Sequence, residues 1–280
     1  MNTQLLATAI FGLAASLCWG SGDFSGGLAS RRAYAGSVVL ADYAVGLVLL
    51  VTLALLWREP VPDPLDLLWG GLAGVAGVLG MLAFYSALAR GKMGMVAPAS
   101  AVLTVALPIL FSAFTAGLPT LPQLGGFGLA GLAIGLISRP ERTTGRPQGI
   151  GSALLSGCGF GCFFILISRV SPTAIFWSLA AERFLSIGVV LVLLRLRQRP
   201  LLPGMRVAPL VVLAGTLDVL GTVLFVFATL GGHLDIAAIL SSLYPAATVG
   251  LSALVLRERV MRIQALGILL VLLAIPLISV

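Results

Sequence analysis

Long apolar runs alternate along this chain with short gaps that collect the charges and many of the prolines. A helix satisfies its own backbone in hydrocarbon, and about 20 apolar residues carry it across a bilayer. Cutting at the gaps gives ten segments: Leu5 to Leu28, Ala35 to Trp57, Asp66 to Ala89, Met93 to Ala116, Leu121 to Ser138, Gln148 to Ser168, Thr173 to Leu194, Val207 to Leu230, Asp235 to Leu256 and Met261 to Val280. The predicted fold is all-α and integral to the membrane, with ten transmembrane helices. Met1 to Gln4 carry no Lys or Arg ahead of the first run, so the charged start of a signal peptide is missing and the first span is expected to be retained.

The pattern also repeats. Sliding the chain by 141 residues lays Phe84 to Ser138 on Phe225 to Ser279 without a gap, with sixteen of fifty-five positions identical. Ser100 meets Ser241, Gln123 meets Gln264 and Gly126 meets Gly267, matches that an apolar bias does not explain. Upstream, Leu72-Ala73-Gly74 meets Leu213-Ala214-Gly215, and Trp19-Gly20 meets Phe160-Gly161. Five spans per copy is an odd number, so the second copy must enter from the opposite side. The expected architecture is two inverted five-helix repeats, residues 1–138 and 148–280, joined by a polar linker at 139–147.

Composition and charge sharpen this reading. Of 280 residues 59% are hydrophobic and 10% charged, against about 25% charged in an ordinary soluble domain. The net charge of +7 does not mark a nucleic-acid partner, because the arginines sit in short gaps between spans. Their distribution orients the chain instead. The gaps after odd-numbered spans hold fourteen Lys and Arg, from Arg31 to Arg262, and the opposite gaps hold two, Arg58 and Arg169. Lys and Arg are retained in the cytoplasm, so both termini are expected outside.

Ionisable side chains within spans are few, and each costs ~2.5–3.5 kcal/mol at the membrane centre unless it is paired or lines a cavity. Asp218 falls midway along the eighth span between Gly215 and Gly221. It is either a functional carboxylate at the midplane or a hydrogen-bonding partner for a neighbouring helix. Glu182 and Arg183 lie inside the seventh span, and Asp42 occupies the position equivalent to Arg183 in the first copy. Adjacent helical residues point about 100° apart, so Glu182 and Arg183 do not both face one cavity squarely. Arg183 is either a bidentate holder of a substrate carboxylate or half of a structural ion pair. Asp23 precedes Arg31 and Arg32 by about two turns, and a surface ion pair is its simplest account. His233 and Asp235 read as solvated loop residues.

Trp19, Tyr85, Trp177 and Tyr244 are aromatic side chains with polar edges in or near spans. Packing or an interfacial belt accounts for them generally, but Tyr244 precedes Pro245, which bends a helix and frees a backbone carbonyl. Glycine spacings such as Gly70 to Gly74, Gly131 to Gly135 and Gly157 to Gly161 fit close helix packing. Cys18, Cys158 and Cys162 read as small buried hydrophobes, with no neighbouring ligands for a metal. No P-loop, HExxH or GxSxG sequence is present, and the apparent GxGxxG at Gly126 lies in a span with no preceding strand.

Trp19-Gly20-Ser21-Gly22-Asp23-Phe24, Val96-Ala97-Pro98 with Gln123, and Ser241-Ser242-Leu243-Tyr244-Pro245 followed by Leu256-Arg257-Glu258-Arg259, Gln264 and Gly267 resemble the paired signatures of the EamA family, within the drug/metabolite transporter superfamily. The likeness covers nearly the whole chain. The first copy departs from it, with Thr104 where the second has Pro245 and Gly117 where the second has Glu258. The resemblance implies a carrier of small metabolites with a central cavity, often an exporter, working without a cofactor.

The expected function is therefore secondary transport of an amino-acid-like or drug-like solute across a bacterial plasma membrane by alternating access. Asp218, Glu182, Arg183, Asp42, Trp19, Tyr85 and Tyr244 are the candidate substrate-binding residues. Coupling is open between a proton gradient, with Asp218 or Glu182 titrating, and plain exchange. The rival reading, an intramembrane enzyme on a lipid-linked substrate, needs an acid, base or metal cluster near one face, and only one His exists.

Overall fold

The computed structural model describes residues 3–30, 32–88, 93–115, 117–137, 150–255 and 262–278. The described residues form α-helices with one short 3-10 turn at Met205–Val207. In chain order the helices are α1 (Thr3–Ser30), α2 (Ala35–Leu56), α3 (Pro64–Leu88), α4 (Met93–Thr115), α5 (Leu121–Ile137), α6 (Ile150–Ile167), α7 (Ile175–Leu196), α8 (Ala208–Thr229), α9 (Leu234–Ser241), α10 (Tyr244–Val255) and α11 (Arg262–Ile278). The linker proposed at 139–147 lies outside the described residues.

Four helices among the described residues are long and apolar enough to cross a membrane: α1, α2, α3, and α8 with the turn before it. Their outward faces agree with a lipid environment. Leu17 of α1 and Val48, Leu55 and Leu56 of α2 are all exposed, where contact with water would forfeit the hydrophobic contribution of each.

The ninth apolar segment differs from the single bent span expected. It breaks into α9 and α10 at Ser242 and Leu243. Pro245 has no N–H to return to Ser241, and the chain tightens instead into three-residue turns, Leu243 N to Leu240 O at 3.3 Å and Ala246 N to Leu243 O at 2.9 Å. Asp235 is not a loop residue either. It lies buried in the first turn of α9, with His233 as the N-cap. Cys162 is exposed, whereas Cys18 and Cys158 are partly covered.

The two halves interleave. Helix α1 of the first half packs on α8 of the second, and α6 of the second packs on α3 of the first. Likewise α3 packs on α7 and α2 on α8, while α4 lies against α6 and α9–α10 against α1. Each contact has a counterpart with the halves exchanged, as a two-fold relation requires. The self-paired elements reveal its sense. Gly36 of α2 adjoins Leu194 of α7, while Gly46 adjoins Arg183, so these equivalent helices run antiparallel and the repeat is inverted.

Small residues bring the backbones together at matching positions. A Cβ at Gly74 of α3 would overlap the carbonyl oxygen of Glu182, and one at Gly215 of α8 would lie 2.6 Å from that of Asp42. Gly70 and Gly157 similarly press on backbone carbonyls of α7 and α4. Gly131 and Gly135 do not behave this way, because nothing stands within 4 Å of a Cβ at either. Equivalent serines clasp equivalent helices: Ser100 and Ser156 hydroxyls lie 3.0 Å apart between α4 and α6, and Ser241 donates to Gly12 O at 3.2 Å between α9 and α1.

The helix ends repeat as well. Helices α2 and α7 both stop at a left-handed residue, Arg58 (φ 51°) and Gln198 (φ 49°). The following amides donate back to Ala54 O at 3.0 Å and Leu194 O at 2.9 Å, using carbonyls that the helix leaves unpaired. At the start of α7, Glu59 accepts from the amides of Phe176 (3.0 Å) and Trp177 (3.1 Å), placing a carboxylate on the positive end of the helix.

Candidate functional site

Where the two halves face one another they leave a cavity of about 680 Å³ including its open mouth. It is lined by Trp19 and Asp23 from α1, Tyr43 from α2, Gly77, Met81 and Phe84 from α3, and Thr104 from α4. The second half contributes Phe160, Phe163 and Phe164 from α6, Glu182 and Arg183 from α7, Asp218 and Thr222 from α8, and Tyr244 from α10. A narrower arm of about 380 Å³ continues between α1, α2 and α8, past Gly22, Gly26, Val38 and Asp42.

Arg183 organises the charged side. Its Nη2 lies 2.5 Å from Asp218 Oδ2, and its Nε lies 3.0 Å from Glu182 Oε2. The same Nη2 donates to Thr222 Oγ1 at 3.3 Å, and the guanidinium carbon stands 4.6 Å from the centre of the Tyr43 ring. Thr222 in turn donates to Asp218 O at 2.9 Å, one helical turn back. The Glu182 contact is electrostatic, because neither Arg183 Nε nor Glu182 Oε2 has a hydrogen-bond partner in suitable alignment. Glu182 Oε1 lies 3.3 Å from the Ser186 hydroxyl, which also donates to Gly74 O at 3.0 Å. Glu182 and Arg183 are 2% and 3% exposed, so the pair survives only through these contacts.

The sequence expectation for this pair needs correcting in one respect. Glu182 and Arg183 both line the cavity, and Arg183 turns Nη2 and Nε onto this protein's own carboxylates. Asp218 lines the cavity and its arm, while Asp42 lines the arm alone. Trp19 and Tyr244 line the cavity. Tyr85 belongs to α3, but its side chain lies outside the described residues. Asp23 was misjudged as a surface residue. It lines both spaces, one helical turn after Trp19, and makes no ion pair with Arg32. That i, i+4 spacing from Trp19 was the available signal.

The lining is also aromatic. Trp19 stacks on Phe164 with centroids 5.6 Å apart and planes 11° from parallel, and Phe164 stacks on Phe225 at 4.4 Å. Gly221 makes room for the indole, since a Cβ there would lie 2.6 Å from Trp19 Cδ1. Tyr244 enters through the break between α9 and α10. Its carbonyl abuts Gly20, and Thr248, one turn later, donates to Gly20 O at 3.0 Å.

The EamA-like transporter family matches this chain twice, over residues 6–139 and 147–280. The chain belongs to the EamA-like transporter family. It is thus a helical membrane transporter of the drug/metabolite superfamily, built from two EamA repeats, and membrane lipid is its surroundings. One solved protein structure is similar over 98% of this chain and 98% of its own, with a TM-score of 0.76 at 16% identity, a likeness of fold. No curated protein matches the EamA-like chain by sequence.

Proposed function

We propose that this EamA-like protein is a secondary transporter that exports a small amino-acid-like or drug-like solute across a bacterial plasma membrane by alternating access. The observation that carries the reading is the cavity itself, walled by helices of both halves and lined by Asp23, Glu182, Arg183 and Asp218. In inverted-repeat carriers such a site lies near the bilayer midplane, and rocking of one half against the other exposes it to each side in turn. Trp19, Asp23, Asp42, Asp218 and Tyr244, with Tyr85, would meet the solute. Arg183 and Glu182 would hold Asp218 in place.

Ten spans with both termini outside complete the proposal, α9 and α10 together making one span. The described contacts agree in direction: α3 runs parallel to α7 and α1 parallel to α9–α10, as alternating spans require. A reporter fused after Val280 is expected to behave as extracytoplasmic and one placed in 139–147 as cytoplasmic. Both on one side would refute the span count. Transport is tested by a metabolite-uptake screen in inside-out vesicles, with and without a pH gradient. Saturable uptake of one compound class supports the carrier, and uptake of nothing overturns it.

A further inference from the structure

We infer that the cavity takes an organic cation bearing an apolar or aromatic body, and that protons compete with it for the same carboxylates. This rests on the transporter reading and gives its substrate a class.

Four carboxylates and one guanidinium line the cavity and its arm: Asp23, Asp42, Glu182 and Asp218 against Arg183. Arg183 is paired with Asp218 and Glu182, with Thr222 and the Tyr43 ring beside it. Asp23 and Asp42 make no hydrogen bond or ion pair with any described residue, although both are half-buried on the cavity walls. Glu182 Oε2, almost wholly buried, accepts no hydrogen bond. Unpaired carboxylates withdrawn from water must acquire a proton or a cation. An anionic solute would meet like charge, and the one cation of the lining already faces two of the protein's own carboxylates.

The rings of Trp19, Phe160, Phe163, Phe164 and Tyr244 line the same cavity as these acids. Ring faces attract a desolvated cation as well as covering apolar surface. Carboxylates and rings around one space suit a cationic head on a hydrophobic body, whereas a small hydrated metal ion would leave the rings idle. The titratable and charged groups around the site are Asp23 on α1, Asp42 and Tyr43 on α2, Glu182 and Arg183 on α7, Asp218 on α8 and Tyr244 on α10. Lowering the pH loads the acids with protons, so affinity for the cation should fall as pH falls.

The test uses the full chain in detergent, titrated calorimetrically with benzyltrimethylammonium, with its neutral isostere neopentylbenzene, and with phenylacetate. The cation should bind most tightly. Its affinity should fall about tenfold, ~1.4 kcal/mol, in Asp23→Asn, and should weaken as the pH is lowered from about 8 to about 5.5. Asp42→Asn serves as the second variant if Asp23→Asn does not fold. The inference is overturned if phenylacetate or the neutral isostere binds as tightly, if no probe binds, or if cation affinity ignores both the pH and the substitutions. Flux in proteoliposomes separates this from the transporter reading: cation binding without flux of any solute sinks the carrier alone, and flux restricted to neutral or anionic solutes sinks the cation alone.

Discussion

The two halves place different side chains at equivalent positions around the cavity, so an asymmetric site stands on a symmetric frame. Asp218 corresponds to Gly77, Glu182 to Ala41, Trp19 to Phe160 and Asp23 to Phe164. Around them the framework has kept its pairing, with Gly74 and Gly215 pressing on backbone carbonyls and Ser100 and Ser241 clasping helices. A duplicated scaffold tolerates divergence where side chains meet a cavity, because solute or water fills the space left. It tolerates little where backbones touch, because no neighbour can yield. The symmetric part of this molecule is what folds it, and the asymmetric part gives its cavity charge.

Substitutions at equivalent positions probe that division. Arg183→Met leaves Glu182 and Asp218 with no countercharge, so thermal unfolding in detergent should show a loss of about 3–5 kcal/mol. Asp42→Asn, at the equivalent position, removes a carboxylate that makes no hydrogen bond or ion pair with a described residue and should cost under about 1 kcal/mol. Equal losses would mean that the charged wall is as symmetric as the scaffold. Asp218→Asn keeps the shape and a hydrogen bond to Arg183, so the expected outcome is normal insertion with solute flux reduced about tenfold or more. Wild-type flux with an unchanged pH profile would make Asp218 purely structural.

Smaller effects address the scaffold. Gly74→Ala and Gly215→Ala should each cost about 1–3 kcal/mol through overpacking against a carbonyl. Gly131→Ala, which meets nothing, should be neutral or slightly stabilising in the same melting assay. Ser100→Ala and Ser241→Ala should each cost about 1 kcal/mol, one interhelical hydrogen bond. A loss at one serine and none at its equivalent would show that the two halves no longer share their framework.

Much of the framework was legible in the sequence, because the length of an apolar run reports directly on a helix and the 141-residue offset on the repeat. The break after Ser241 was half legible: Pro245 announced a bend, but a proline does not say whether neighbouring contacts will close it into one helix. Asp218, Glu182 and Arg183 stood out because charge is rare in spans. Their mutual pairing did not, since it depends on which face of α7 meets α8. Asp23 was hidden by its neighbours along the chain, Arg31 and Arg32, which offered a simpler partner than the cavity across the bundle. The phenylalanine wall was invisible for a different reason: within an apolar span, a ring facing a cavity and a ring facing lipid look alike.

The interleaving of the halves bears on how this chain is made. Helix α1 finds its main neighbour in α8, and α3 finds its own in α6 and α7. The first half therefore leaves the ribosome well before the surfaces it needs exist, and during that interval its glycine-lined grooves and Asp42 have only lipid or one another for company. Assembly is committed late, when α6 to α8 arrive together. Two separately expressed fragments, 1–138 and 148–280, would then depend on each other for survival in the cell, each acting as the template on which the other closes.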